Sequence, residues 1–172
     1  MNTIELTSVL RKRTTRDTNF LGVRPCDQLP KTVVCKLPAM LVVNTDPSDK
    51  PGQHWLGIYI TENKHGLFFD SFGHPPSFFP QEINHFLLKN CVEMYHSAIQ
   101  VQNNHSTTCG QHCVFFLWHI QKKIPYSKVL NMYGPNLVCN DTMVTHFVSR
   151  IHPYVCHDQN FKCVQCSCAT YR

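Results

Sequence analysis

One apolar segment constrains the fold of this chain more than any other feature of its sequence. Residues 109–122 are mostly apolar, contain no proline, and include a single glycine, Gly110, near their beginning. A run this long is typical of a helix rather than a strand, and Ser106, Thr107 and Thr108 before it form a helix-start signal. A helix that is apolar around most of its circumference must be buried. The rest of the chain therefore has to be built around it.

The remaining sequence predicts both strands and amphipathic helices. Runs of β-branched and aromatic residues indicate strands, whereas apolar residues at helical spacing indicate helices. We expect strands over 32–37, 39–44, 55–60, 67–72 and 97–102, helices over 3–13 and 80–91, and turns over 20–31. A last helix is expected to be capped by Asn140-Asp141 and to end at Pro153. These elements predict an α+β fold with a small, mostly antiparallel central sheet flanked by helices.

Composition and length favour a single globular domain. The chain has 172 residues, of which 42% are hydrophobic and 16% are charged, so it can bury a core and does not resemble a disordered protein. No apolar run approaches the ~20 residues of a membrane span, and the N-terminal segment lacks the order of a secretory signal. We therefore expect an intracellular, soluble protein with no membrane partner. The domain is expected to cover residues 1–153, followed by a cysteine-rich tail, 154–172.

Two clusters suggest binding functions. Arg11, Lys12, Arg13 and Arg16 lie close together in a chain of net charge +5, which favours either contact with phosphate backbones or a solvated helix end. The tail contains a Cys-x-x-Cys pair, a spacing found in zinc sites, although a single pair is weak evidence. The candidate metal ligands are Cys156, His157, Cys163, Cys166 and Cys168.

Cys109 is the candidate nucleophile because it lies at the start of the strongest helix. The unpaired N–H groups of a helix N-terminus favour a thiolate and lower the pKa of a cysteine there. His54 is the candidate base, since it follows a polar loop and begins an apolar strand, where a side chain is held in place yet reaches a cleft. A buried structural cysteine is the alternative interpretation of Cys109.

Two further side chains complete a possible catalytic site. Asp70 ends a strand of aromatic residues, where a carboxylate needs a partner such as an imidazole N–H, or else caps a turn. Gln102 lies seven positions before Cys109 at the end of a predicted strand, and its amide can donate to an oxyanion beside the backbone N–H of Cys109.

The order and spacing of these residues carry a family resemblance. The features are Phe20-Leu21-Gly22, Val43-Asn44-Thr45, His54-Trp55, Phe69-Asp70-Ser71-Phe72-Gly73, Val101-Gln102 and Thr108-Cys109-Gly110. Together they resemble the adenovirus-type cysteine endopeptidases (adenain-like) and, more distantly, the SUMO and ubiquitin-like proteases of the same clan. The acid departs from the viral pattern, because the adenovirus enzymes have Glu where this chain has Asp70. The cysteine-rich tail has no counterpart in that pattern.

The resemblance implies a thiol endopeptidase that cleaves proteins after glycine. Its role would be precursor processing in a virus or virus-like mobile element, in the host nucleus or the virion, or removal of ubiquitin-like tags. It also implies an activating peptide and DNA as cofactors that the chemistry itself does not require. Cys91, eleven positions before Gln102, matches the cysteine that links to the peptide, and a buried helix cysteine is the alternative interpretation. Trp55 would line a substrate tunnel or belong to the core.

Three alternatives differ from this interpretation. A chymotrypsin-like cysteine protease shares the order His, acid, Cys, but it requires strands on both sides of the nucleophile. A papain-like fold places Cys before His, which is the reverse of this chain. A zinc-binding or nucleic-acid-binding module without catalysis rests on the tail cysteines and the basic cluster.

Overall fold

A computed structural model describes residues 1–152, which form a five-stranded sheet with helices on both faces. The strands are β1 Asn19–Pro25, β2 Ala39–Asn44, β3 Trp55–Ile60, β4 His65–Phe69 and β5 Glu93–His96. The helices are α1 Thr3–Arg13, α2 Gln81–Asn90, α3 Cys109–Ile120, α4 Tyr126–Leu130 and α5 Leu137–Ile151.

The sheet follows the chain order β1-β2-β3-β4-β5 and is mixed. The pairs β2–β3 and β3–β4 are antiparallel, whereas the outer pairs β1–β2 and β4–β5 are parallel. The predicted α+β fold with a central sheet flanked by helices is therefore confirmed. The antiparallel character is confined to the three inner strands.

Helix α3 is the buried element that the apolar run predicted. It packs on β3, and Phe116 is fully buried with its ring stacked on Phe69 at a centroid distance of 4.6 Å. Gly57 in β3 lies directly beneath this contact, since a Cβ there would be in van der Waals contact with the Phe116 ring at 3.4 Å. Helices α1, α4 and α5 share this face of the sheet, while α2 covers the other. Strands β2 and β3 are consequently buried along their whole length.

Two predicted strands are absent and two unpredicted ones are present. Residues 32–37 form a loop before Pro38, in which the Val34 N–H donates to the Asn90 side chain. Residues 97–102 also form a loop, because the N–H groups of Val101 and Gln102 both donate to the Ser71 carbonyl instead of a strand partner. The segment 20–31, predicted to be turns, contains all of β1 except Asn19.

The two missed strands lack the usual strand signals. Within β1, Gly22 has a φ of +106° and the pairing register shifts between Phe20 and Val23, which explains its turn-like sequence. Strand β5 is a short edge strand that is mostly exposed, so it shows no clear alternation of apolar residues.

The observed helices agree with the predicted ones except in the C-terminal part of the described residues. Helix α5 begins at Leu137, one turn earlier than expected, with Asn136 as its cap. The predicted cap residues Asn140 and Asp141 lie inside the helix, where their side chains bind other segments. The short helix α4 was not predicted. The expected tail 154–172, with the zinc candidates Cys156, Cys163, Cys166 and Cys168, lies outside the described residues, so the boundary at 153 stays a prediction.

Residues 1–152 include no helix with the length and apolar character needed to cross a membrane. The basic residues Arg11, Lys12 and Arg13 occupy the last turn of α1, where positive charge complements the helix dipole. The Arg13 guanidinium donates to the Ile151 carbonyl at the end of α5. This part of the basic cluster therefore also has a structural role.

We expect Phe116→Ala to destabilise the protein by about 3–5 kcal/mol, because it leaves a cavity between α3 and the sheet. Denaturant titration of the free energy of unfolding measures this. Leu88→Ala is the control, since Leu88 is 74% exposed and its loss should change stability by less than about 0.5 kcal/mol. Equal denaturant concentrations at the unfolding midpoints of the two variants would contradict this account of the core.

Candidate active site

The antiparallel pairing of β3 and β4 brings His54 and Asp70 together. His54 immediately precedes β3 and Asp70 immediately follows β4, so both lie at the same edge of the sheet. The His54 Nε2–H donates to Asp70 Oδ1 over 2.6 Å. The predicted contact between this imidazole and this carboxylate is therefore present.

Asp70 is buried and holds several donors at once. Its Oδ1 accepts the Phe72 N–H at 3.2 Å, and its Oδ2 accepts both the backbone N–H and the ring Nδ1–H of His74 at 2.9 Å. Asp70 is therefore both a partner of the imidazole and a cap of the turn, as the two interpretations of its sequence predicted. Burial raises the pKa of Asp70, but the hydrogen bond and charge of His54 and the two backbone N–H groups outweigh it and lower the pKa.

Cys109 is the first residue of α3, and the packing of α3 on β3 places it beside His54. Burial lowers the pKa of His54, but its hydrogen bonds to Asp70 and Cys109 raise it from 6.5 to about 9. Burial likewise raises the pKa of Cys109, yet the hydrogen bond and charge of His54 lower it from 9.0. Because Nε2 binds Asp70, Nδ1 is the ring nitrogen left to interact with the sulfur. This arrangement favours a thiolate–imidazolium pair near neutral pH.

Gln102 is buried in the loop that leads to α3, not at the end of a strand as predicted. The Ser71 hydroxyl donates to its Oε1 at 2.6 Å, and its Nε2 donates to the Ser106 carbonyl at 3.0 Å. These contacts connect its amide to the residue after Asp70 and to the segment before Cys109. A primary amide has two N–H donors, so one remains for another acceptor.

Sequence reasoning missed a second carboxylate that organises this region. Asp141 Oδ1 accepts the Thr108 hydroxyl at 2.8 Å and the His112 Nε2–H at 2.9 Å, while its Oδ2 accepts the Asn103 N–H at 3.3 Å. Asp141 thus holds the residue before Cys109 and the residue after Gln102. Its only sequence signal, an Asn-Asp pair, is equally typical of a helix cap.

His74 was also missed. The chain has ten other histidines, and lying four residues after Asp70 is not a signal that marks one of them as functional. Its ring is partly exposed, and it shares Asp70 with His54.

The surroundings of Cys91 and Trp55 do not favour the roles that the family resemblance implies, which are a disulfide for Cys91 and a tunnel wall for Trp55. Burial raises the pKa of Cys91 to about 11, so its thiol is largely neutral at pH 7 and exchanges slowly with disulfides. A disulfide to an activating peptide stays a prediction. The Trp55 indole is 9% exposed and donates to the Met1 carbonyl at 3.0 Å, which places it mainly in the core.

No group of three or more His, Cys, Asp or Glu side chains within residues 1–152 is arranged to hold a metal ion. The chymotrypsin-like alternative is wrong, because the residues that follow Cys109 form a helix.

Comparison with known proteins identifies a family. The sequence profile of the adenovirus endoprotease family matches residues 20–134. No curated protein sequence is significantly similar to the chain. The central domain of the uncharacterized protein Lpg1148 from Legionella pneumophila has a similar structure, with a TM-score of 0.52, 12% identity, and coverage of 88% of this chain and 97% of that domain. The similarity to the Lpg1148 domain concerns the fold alone.

A further similar structure is ChlaDub1 from Chlamydia trachomatis. It has a TM-score of 0.48 and 19% identity, and the match covers 67% of this chain. The matched region spans 60% of the ChlaDub1 chain.

We expect a small alkylating reagent such as iodoacetamide to modify Cys109 well below pH 9, since only the thiolate reacts and the pKa of Cys109 is lowered. In Asp70→Asn the imidazolium of His54 loses its carboxylate, so the pKa of Cys109 rises and its modification shifts to higher pH. Peptide mass spectrometry across a pH series measures both profiles.

Cys91 provides an internal control for this experiment, because with a pKa of about 11 it should react slowly at every pH in the series. Superimposable profiles of Cys109 in the wild type and Asp70→Asn would show that Asp70 does not act on this pair.

Proposed function

Because this chain belongs to the adenovirus endoprotease family, we propose that Cys109 is the nucleophile of its active site and His54 the base. The chain is a cysteine-type endopeptidase, and proteins are its substrates. The observation that supports the proposed roles best is the 2.6 Å hydrogen bond from His54 to Asp70, in a histidine whose charge and hydrogen bonding lower the pKa of Cys109.

The first half of the proposed reaction is acylation. The Cys109 thiolate attacks the scissile carbonyl, and the helix N-terminus of α3 together with imidazolium charge keeps the sulfur ionised beforehand. His54 then gives its Nδ1 proton to the leaving amine. Asp70 fixes the ring orientation throughout and stabilises its charged form.

The oxyanion is stabilised by two donors in this proposal. One is the backbone N–H of Cys109, and the other is the free N–H of the Gln102 amide. Two fixed hydrogen bonds, with Ser71 and Ser106, support this role because they prevent the amide from rotating away. Water, activated by His54, finally releases the acyl group from the sulfur.

We also propose that the residue before the cut is glycine. The family resemblance suggests this preference, and the burial of Cys109 supports it, since the residue is only 9% exposed and a substrate residue without a side chain approaches such a sulfur most easily. Processing of viral or mobile-element precursors and removal of ubiquitin-like tags are both compatible with cleavage after glycine. Location in the host nucleus or virion belongs to the first of these roles.

Activation by DNA or by a disulfide-linked peptide is a further part of the proposal. Arg11, Lys12 and Arg16 are the basic residues that DNA would contact, and Cys91 is the candidate for the disulfide. A rise in activity with DNA that disappears at high salt would support the first cofactor. If added DNA leaves the activity unchanged at low salt, this would count against DNA as a cofactor.

We expect Cys109→Ala to lower kcat/KM by at least about 10³-fold without changing the fold, because the sulfur is the attacking atom. Cleavage of peptides from a library that varies the residue before the cut measures the loss and tests the preference for glycine. Cys113→Ala is the matched control on the next turn of α3, and it should retain most of the activity. Cleavage by Cys109→Ala at the wild-type rate would refute the assignment.

We expect Asp70→Asn to lower kcat by about 10²-fold or more, since Asn does not stabilise the imidazolium. Asp70→Glu should retain part of the activity because it keeps the charge. Steady-state kinetics of both variants on one glycine-containing peptide separates the charge from the geometry. Equal rates for the two variants would remove the carboxylate charge from the mechanism.

We expect Gln102→Glu to lower kcat by about 10²–10³-fold with little effect on KM. The variant keeps the acceptor for Ser71 but replaces the donor near the oxyanion with a negative charge. Kinetics combined with a thermal melt checks this, since an unchanged melting temperature with unchanged kcat would exclude Gln102 from the oxyanion site.

A further inference from the structure

A cavity of about 390 Å³ adjoins the His54 ring without being bounded by Cys109. Its aromatic walls are Phe72, His74, Phe78 and Phe79, with Asp46 among the polar residues at its border. Its volume falls within the range of small-molecule and side-chain pockets.

The aromatic walls contact one another, although one of them faces solvent. The His74 ring stacks on Phe78 at a centroid distance of 4.1 Å, and Phe78 meets Phe79 edge-on at 5.3 Å. Phe78 is nevertheless 65% exposed. A phenyl ring this exposed is not part of the core, so it is available to contact a ligand in the cavity.

The reaction geometry determines which part of a substrate reaches this cavity. His54 must lie within hydrogen-bond distance of the leaving amine to protonate it. The residue that carries this amine is the one after the scissile bond, so its side chain begins next to the His54 ring. A pocket that His54 borders and Cys109 does not is placed for that side chain.

The charges around the cavity favour a neutral occupant. A charged side chain of either sign would lie near one border residue of like charge, His54 or Asp46, and would lose hydration against the phenyl rings. An aromatic side chain would instead pack on the phenyl rings and gain a favourable contact with the imidazolium.

We propose that this cavity is the subsite for the residue after the scissile bond and that it accepts an aromatic or large aliphatic side chain. The inference rests on the proposed function, since it takes His54 as the group that protonates the leaving amine. It adds a substrate preference on the far side of the cut, which is independent of the preference for glycine before the cut.

Peptides that differ only in the residue after the cut test this directly. We expect kcat/KM to be about 10-fold or more higher with Phe, Tyr or Leu than with Ala at this position, and lower again with Lys or Asp. Phe78→Ala should reduce the ratio between the Phe and Ala peptides to about two or less. Leu88→Ala, which removes an exposed apolar side chain outside the cavity, should leave the ratio unchanged.

Equal kcat/KM for all residues at this position would overturn the proposal. A ratio that is the same in the wild type and Phe78→Ala would overturn it as well.

A binding measurement separates the subsite from the catalytic proposal. Phenylalaninamide carries the same free amine as the product released after the cut. In NMR titrations of the wild-type protein it should shift the ring signals of His74 and Phe78, whereas alaninamide should not. If no peptide is cleaved but phenylalaninamide binds in this way, the proposed function fails, while binding of an aromatic side chain by the cavity is supported. The absence of any shift up to the solubility limit would refute the subsite.

Discussion

The whole site depends on a carboxylate that is buried beneath its surface. A buried charge is unstable unless several donors surround it, because it loses its hydration. Asp70 satisfies this requirement with the imidazole of His54, the backbone of Phe72, and both the backbone and ring of His74. The need to satisfy one side chain therefore fixes the base and also shapes the turn after β4. The aromatic cavity is built on that same turn.

The second constraint is the burial of α3. Its apolar surface has to be covered on nearly every side, and it packs on β3 with the Phe116 ring stacked on Phe69. The position of the sulfur follows from this packing, since Cys109 is the first residue of the helix. Stability and reactivity are therefore coupled: the contacts that bury the helix also bring its N-terminus to the imidazole at the sheet edge.

The parts of the fold that the sequence predicted are those with local signals. The apolar run of α3 and the strands β3 and β4 with their short connection are of this kind, and they determine where His54, Asp70 and Cys109 lie. The edge strands were missed because their pairing is with distant parts of the chain and Gly22 interrupts the pattern of β1. The loop of Gln102 was mistaken for a strand, since its apolar residues are buried by non-local hydrogen bonds to Ser71.

The support of the loop 103–108, between Gln102 and Cys109, could not be predicted, because it comes from a remote helix. Asp141 binds Asn103 at one end of this loop and Thr108 at the other, and it also accepts a hydrogen bond from the buried imidazole of His112. Burial would raise the pKa of Asp141, but the hydrogen bonds from His112 and Thr108 lower it, so the carboxylate stays ionised and keeps both contacts. Asp141 lies beyond residues 20–134, which the family profile matches. The geometry of Gln102 relative to Cys109 thus depends on a part of the chain that family similarity does not describe.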